Sequence, residues 1–463
     1  MRHLLLATVA MSALAAAANA QTTAGNDNLG KLKGMQTTGA ALDIAEVPQM
    51  ADARAPLEAN LENVTLPDGF EISLYAVVPD ARHMAVGPST GVVFVGTRKT
   101  DVYAVTDRNK DRVADEVKRF APPIDFAVPN GVCFSPDGFL YVIEHNRALV
   151  FPAAEFFYES PDVAVDEVVA QGELIPPEEE SFNHGARTCE IGPDDKLYIT
   201  LGQPYNVPPQ EKLDLYDEVG IGGIIRMNRD GSEREVYTHG VRNSVGLGFN
   251  PANGELWFTD NQVDGMGDDI PPGELNRQTE MGQNFGFPWY GGGDTRTNEY
   301  MDDEPPADVV FPAAEMVAHA ADLGMAFAQS DRLPEKYRSG VFSAQHGSWN
   351  RTTPVGARVM FTPVMEDGSA GEPEVFAEGW LNEDGEYLGR PVDVVQMKDG
   401  SLLVSDDFAG AIYRIAYNGD TTASVEDSGA MPVTDEAETT EAMPGAEMPV
   451  EDDGEAAGES SAQ

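Results

Sequence analysis

Basic residues are scarce in this chain: 30 Lys and Arg stand against 78 Asp and Glu over 463 residues, a formal net charge of −48. That balance excludes nucleic acid as a partner, because gripping a phosphate backbone takes a basic face. The acidity otherwise reads as solvated surface of a kind suited to high salt. Long apolar runs are missing after the first twenty residues, so no transmembrane segment is expected. Cysteine is nearly absent too, and no C-x-x-C-H occurs, which rules out covalently attached haem. The two that exist are Cys133, three residues before Pro136, and Cys189, four before Pro193. On matching strands these offsets turn the two side chains opposite ways, although an oxidising compartment would let them pair; the sequence leaves the pairing open.

What is present begins with Met1-Arg2-His3, the apolar run "LLLATVAMSALAAAA" and Ala18-Asn19-Ala20 before Gln21. This pattern is that of a secretory signal peptide over residues 1–20, so the mature protein is expected to be periplasmic or secreted. Residues 21–55 are polar and weakly patterned, and read as a linker packed on the body. From Thr421 to Gln463 there are twelve acidic residues, no Lys or Arg and almost no large apolar side chains. Residues 420–463 therefore read as a disordered acidic tail.

Between them, over residues 56–419, a hairpin unit recurs: "HMAVGPSTGVVFVGT", "NGVCFSPDGFLYVIEH", "RTCEIGPDDKLYITLG", "NSVGLGFNPANGELWFTD" and "PVDVVQMKDGSLLVSD". Each is an apolar strand, a Pro/Gly/Asp turn and a second strand rich in β-branched or aromatic residues. "EKYRSGVFSAQHGSW" supplies a less regular sixth copy. Taking Gly91, Gly138, Asp195, Gly254, Gly340 and Gly400 as turn markers gives spacings of 47, 57, 59, 86 and 60. A pure β pattern at that period predicts an all-β, six-bladed β-propeller. The long interval contains the Gly/Pro/Asp-rich stretch Asp264 to Pro306, expected to be a functional loop.

In a hairpin the start of the first strand and the end of the second lie opposite the turn. His184, Arg242 and Arg390 stand eight or nine residues before their turns, and Glu144-His145, Asp260-Asn261, His346 and Asp406-Asp407 end second strands. One end of the propeller therefore collects the polar chemistry. His145, His239, His319 and His346 read as structural hydrogen-bonders. His184, in "NHGAR", reads as a catalytic base, and Arg242, Arg351 and Arg390 as a local anion site in a negative protein.

At these residues the chain resembles a known family. "FNHGARTCEIGPDDKLYITLG", "HGVRNSVGLGFNPANGELWFTDN", "GQNFGFPWYGGG", "HGSWNR" and "GRPVDVV", in that order, are similar to the glucose/sorbosone dehydrogenases, secreted or periplasmic propellers that use pyrroloquinoline quinone (PQQ). The resemblance covers roughly Leu57 to Asn418. It implies a sugar substrate, oxidised as an aldose hemiacetal or aldehyde, and an external electron acceptor, a quinone or a cytochrome. It implies that His184 is the general base and that Arg242 and Asn243 hydrogen-bond the quinone oxygens, stabilising developing charge. Asn261 and Gln262 fall where backbone carbonyls hold a Ca²⁺ that polarises the quinone. Arg390 and Arg351 match cationic contacts to the cofactor, and Asn130 a substrate contact. Leu388 departs from the pattern, standing where the soluble glucose dehydrogenases have arginine; the sequence leans to the sorbosone or aldose branch.

"DRNKDRVADE" offers a second candidate Ca²⁺ loop through Asp107, Asn109, Asp111 and Asp115, with Arg112 where such loops need glycine and Lys118 where they need Glu. Two other functions stay open: a Ca²⁺-dependent sugar-lactone hydrolase and a non-catalytic carbohydrate-binding propeller. The first wants a carboxylate-rich metal cage; the second needs no base in register with an Arg-Asn pair. Large quinoprotein alcohol dehydrogenases are disfavoured by only four Trp and no adjacent cysteine pair.

Overall fold

The computed structural model describes residues 34–39, 44–160 and 162–419. The signal peptide and the acidic tail lie outside the described residues. Second strands such as Leu140–Ile143 and Leu402–Asp406 are buried along their whole length, which is why they read as continuous apolar runs. Each is one layer of a four-stranded antiparallel blade, and six blades form a ring.

Blade one is Met84–Val86, Val93–Val95, Val102–Thr106 and Glu116–Phe120. Blade two is Gly131–Phe134, Leu140–Ile143, Ala148–Phe151 and Ala164–Val169. Blade three is Cys189–Ile191, Lys196–Leu201, Gly223–Asn228 and Glu235–Thr238. Blade four is Leu247–Phe249, Leu256–Asp260, Gly273–Gln278 and Ala314–Met316. Blade five is Asp322–Phe327, Gly340–Gln345, Arg358–Pro363 and Glu374–Glu378. Blade six takes Pro391–Gln396, Leu402–Asp406 and Ala411–Tyr417 from the end of the propeller sequence and Phe70–Val77 from its start. That shared blade closes the ring through the antiparallel pairing of Phe70 with Tyr417 through to Val77 with Ala411.

Five of the six turn markers sit between the first and second strands of their blades with left-handed backbone: Gly91, Gly138, Asp195, Gly254 and Gly400 have φ of 79°, 87°, 58°, 76° and 85°. Glycine adopts that region freely and Asp tolerates it, so these positions punctuate the repeat. Gly340 is different. It opens the second strand of blade five, where a Cβ would lie 2.5 Å from the Phe361 ring, and the turn runs over 328–339 instead. The Asp264 to Pro306 stretch is also not one loop: it contains the third strand of blade four, Gly273–Gln278, and the long connection covers 279–313.

The expected boundary at residue 55 falls inside a helix, Ala51–Asn60. Ahead of it, Gln36–Thr37 adds a fifth strand to blade two, and Gln49 and Arg54 bond the backbone of Val77 and Leu74. This segment is part of the blade architecture.

Between blades the core is aromatic and aliphatic. Phe120 of blade one meets Phe151 of blade two edge-on at 4.9 Å, and Phe70 of blade six meets Phe376 of blade five at 5.0 Å, the tilted geometry that ring quadrupoles favour. Cys133 and Cys189 are joined as a disulfide between the inner strands of blades two and three, with Cα atoms 5.8 Å apart. Opposite facing does not keep them apart, because neighbouring blades stack with opposite faces in contact.

Candidate active site

The loops that lead into inner strands and those that follow second strands share one end of the ring. His184 lies on such a loop, before blade three, and its φ of 55° is left-handed; backbone strain of this kind in a non-glycine residue marks sites that the surroundings over-determine. Its Nδ1 is 2.5 Å from the Gln203 carbonyl oxygen. A carbonyl only accepts, so Nδ1 carries the proton and Nε2 is the lone-pair nitrogen. Burial, and then the Arg242 charge, bring the imidazole down to about 3, so it is neutral at any ordinary pH. Arg187 donates to the His184 carbonyl at 3.0 Å and to the Gly202 carbonyl at 2.9 Å. A Cβ on Gly202 would lie 2.4 Å from Asn243 Oδ1 and 2.9 Å from His184 Cβ; the missing side chain is the space in which imidazole and amide come together.

Arg242 and Asn243 are set by one carboxylate. Asp260, at the end of the second strand of blade four, accepts the backbone N–H of Arg242 at 2.8 Å, of Asn243 at 2.6 Å and of Asn261 at 2.8 Å. Burial pushes Asp260 up to about 6 despite these donors. The Arg242 guanidinium reaches the Asn206 carbonyl and amide oxygens at 3.1 and 2.9 Å, the Asn261 carbonyl at 3.1 Å and Asp264 at 3.0 Å.

Three buried amide oxygens beside this cluster have no hydrogen-bond partner: Asn243 Oδ1, Gln262 Oε1 and Asn350 Oδ1. Their nitrogens or neighbours are engaged: Gln262 Nε2 lies 3.1 Å from His319 Nδ1, and Asn350 Nδ2 donates to Asp264 at 2.7 Å. Leaving such an oxygen unmade costs about 1–3 kcal/mol each, so the donor set fits an oxygen-seeking cation or a hydrogen-bonding ligand.

The other expected residues distribute differently. Asn130 is fully buried, accepting from Arg82 Nε at 2.8 Å and donating to the Arg187 carbonyl at 2.8 Å. It is a strut between blades, not a substrate contact. Arg242, Arg351 and Arg390 are each engaged with separate protein partners. Arg351 staples the 268–269 turn through the Asp268 and Ala318 carbonyls and the Asp269 carboxylate. Arg390 stacks on Tyr387 at 4.7 Å and caps the His346 and Gly347 carbonyls. The cations that act on His184 are Arg242, Arg187 and Arg98. Arg187 stood in the same "NHGAR" stretch, but nothing in the local sequence set it apart from an arginine paired with Glu180 or Glu190.

His145, His239, His319 and His346 each hydrogen-bond a neighbour. His346 is paired with Asp407 at 2.8 Å, and Asp407 also takes a hydrogen bond from Arg82. Burial would raise Asp407, but those two partners hold it well below the carboxylate range. Asp107, Asn109, Asp111 and Asp115 lie at the opposite, turn end, where their oxygens accept backbone N–H groups of the same loop. Among the described residues no group of three or more His, Cys, Asp or Glu is arranged to hold a metal. A cavity of about 1200 Å³ is the central channel, lined by inner strands and opening at that turn end. The chemistry gathers at the other.

Among the described residues no helix is long and apolar enough to cross a membrane. An uncharacterized protein of Borreliella burgdorferi is 29% identical over 359 residues, covering 76% of this chain and 90% of that one. The calcium structure of a Trichoderma reesei carbohydrate-active enzyme of family AA12 superposes with a TM-score of 0.64 at 20% identity, over 77% of this chain and 97% of the other. The holo form of the pyranose dehydrogenase PQQ domain from Coprinopsis cinerea gives 0.61 at 18%, over 76% and 96%. Both structural likenesses establish the six-bladed fold. The family model described as glucose / sorbosone dehydrogenase matches residues 165–414, more than half of the chain, taking in blades three, four and five whole and most of the C-terminal strands of blade six. The chain belongs to the glucose / sorbosone dehydrogenase family.

Proposed function

We propose that this protein oxidises an aldose or related sugar aldehyde with pyrroloquinoline quinone and Ca²⁺ at the polar end of the ring, and that His184 is the base. One observation carries this. The proton on Nδ1 is fixed by the Gln203 carbonyl, which leaves His184 Nε2 as a neutral acceptor, without a partner among the described residues. When bound, the quinone supplies an electrophilic carbonyl carbon that accepts hydride.

His184 Nε2 takes the proton of the anomeric hydroxyl as the C–H bond breaks, so the hemiacetal becomes a lactone and loses two electrons and two protons. An aldehyde substrate, through its hydrate, becomes an acid by the same balance. Arg242, held in place by Asp260, offers donors to developing negative charge in a buried setting where they are strong. Asn243 Oδ1, Gln262 Oε1 and Asn350 Oδ1 would meet the cation or the cofactor's own donors. The sequence's signal-peptide pattern and the Cys133–Cys189 disulfide support export to an oxidising compartment.

The test is a spectrum. Purified protein titrated with the quinone and Ca²⁺ should give a bound-quinone absorption that bleaches on adding an aldose. A protein that binds the quinone but releases sugar acids only from lactones would be a hydrolase, and one that binds sugar without bleaching would be a binding module.

A further inference from the structure

In a chain with 78 acidic residues, an arginine without an acidic partner needs an explanation. Arg98, on the connection that follows the second strand of blade one, is such a residue at the polar end. Its backbone N–H donates to Asp80 at 2.7 Å. Its guanidinium lies 5.0 Å over the Phe182 ring and, among the described residues, donates to no acceptor. Asp407, the other carboxylate whose charge acts on it, is already taken by Arg82 and His346. A guanidinium stays charged at any ordinary pH, and one that is half-buried without an anion forgoes charge-assisted hydrogen bonds.

A second open donor lines the same small cavity, about 200 Å³, whose walls include Phe182 and Gly185 and no carboxylate. His145 Nε2 accepts the Ser181 N–H at 3.3 Å, so the neutral ring carries its proton on Nδ1. Burial, and then the Arg187 charge, lower the basicity of this imidazole and keep it neutral. Nδ1 has no acceptor among the described residues. A Cβ on Gly185 would lie 2.9 Å from His145 Cε1 and 3.2 Å from Nδ1, so glycine leaves that nitrogen open to the cavity.

We propose that this pocket receives the carboxylate of an acidic sugar, which makes a hexuronate the substrate class. One guanidinium and one neutral N–H suit a single negative charge, and the planar fork of arginine matches a carboxylate. A phosphate monoester would bring about two charges into a chain of net charge −48. Position supplies the sugar. Phe182 and Gly185 belong to the loop that carries His184, and Arg98 is among the charges that act on His184. In a hexuronate the anomeric hydroxyl and the carboxylate stand at opposite ends of one ring, so His184 takes the first while Arg98 holds the second. The amide oxygens open to an ion or cofactor come from blades four and five, whereas Arg98 and His145 follow strands of blades one and two. The inference rests on the sugar-dehydrogenase reading above, whose balance of electrons and protons is unchanged, since the carboxylate takes no part in the reaction.

The experiment titrates the full chain, without quinone, with D-glucuronate and with D-glucose by isothermal calorimetry. Glucuronate should bind about tenfold more tightly, the worth of one charge-assisted contact, and the gap should narrow as salt rises to about 0.2 M. Arg98→Gln should abolish the difference by weakening glucuronate alone, and Arg98→Lys should restore part of it; an unchanged melting temperature would show that both variants are folded. Equal affinity for the two sugars in the wild type, a comparison that needs no variant, would overturn the proposal. So would acetate displacing glucuronate at equal concentration, which would make this a site for any small anion. A loss of quinone affinity in Arg98→Gln, read by absorption, would give the guanidinium to the cofactor and overturn it too. Dye-linked oxidation with quinone and Ca²⁺, measured alongside, separates the two readings. Glucose oxidation without preferential glucuronate binding rejects the pocket alone, whereas glucuronate binding without oxidation of either sugar keeps the pocket and rejects the dehydrogenase.

Discussion

His184 performs two tasks that a substitution can separate. Its backbone carbonyl anchors Arg187, and its ring presents Nε2. His184→Gln keeps the first and removes the base, so turnover should fall about a hundredfold to ten-thousandfold while quinone binding, read by absorption, stays. Near-normal turnover at saturating cofactor would make the residue structural. There is also a pH consequence. The folded imidazole protonates only near 3, because of burial and Arg242, whereas an unfolded histidine does so at about 6.5. Between those values the unfolded chain binds the extra proton, so this residue lowers stability as pH falls through the window. Denaturant midpoints at pH 7 and pH 4 should therefore shift in favour of His184→Gln at the lower pH; a gap that does not change would show a normally titrating ring. That His184, Arg242 and Asn243 lie together was legible from local context and register. Arg82, Asn130 and Arg187 were not, since Asn130 bonds residues 48 and 57 positions away and nothing local announces such a strut.

At the scale of elements, the inter-blade disulfide shows why register arithmetic was insufficient. Counting offsets from prolines placed Cys133 and Cys189 on opposite faces, and that is what the packing of neighbouring blades requires for them to meet. The bond closes a loop spanning a sequence separation of 56, worth about 4 kcal/mol in the chain-entropy account. Cys133→Ser with Cys189→Ser should lower the melting temperature by several degrees, with dye-linked turnover below the transition nearly unchanged, because neither sulfur touches the polar end. A large loss of turnover at low temperature would mean that the bond also sets the mouth. The hairpins themselves were readable because a left-handed turn residue and a fully buried second strand leave a strong local pattern. In blade five the copy was found but its turn was misplaced, since the turn runs over 328–339 and Gly340 opens the second strand instead. The N-terminal strand and helix escaped for another reason: Gln36–Thr37 becomes a strand only by pairing with Ala164–Val169.

At the scale of the molecule, the polar end ties non-adjacent stretches of chain together, and a bound ion should add to that. Asn243 and Gln262 come from blade four and Asn350 from blade five, so a cation accepted by these oxygens would join two blades that are otherwise held there by Asn261 Nδ2 to the Asp322 carbonyl at 3.0 Å and by Asn350 to Asp264. An ion that binds only the folded state stabilises it by about 2.7 kcal/mol at one hundred times its dissociation constant. Chelation should thus have two separable effects. Melting temperature should fall by a few degrees even without quinone, and dye-linked aldose oxidation should stop. Ca²⁺ alone should restore the melting temperature, whereas activity should need Ca²⁺ and quinone together. Restoration by Ca²⁺ of stability but never of activity would place the ion elsewhere, for instance in the 107–115 loop, and Asp111→Asn would then abolish the thermal shift. Oxidation that survives both chelation and the absence of quinone would remove the cofactor from the reaction and leave the Arg242-Asn243 pair, pinned by Asp260, as the structure of a blade edge.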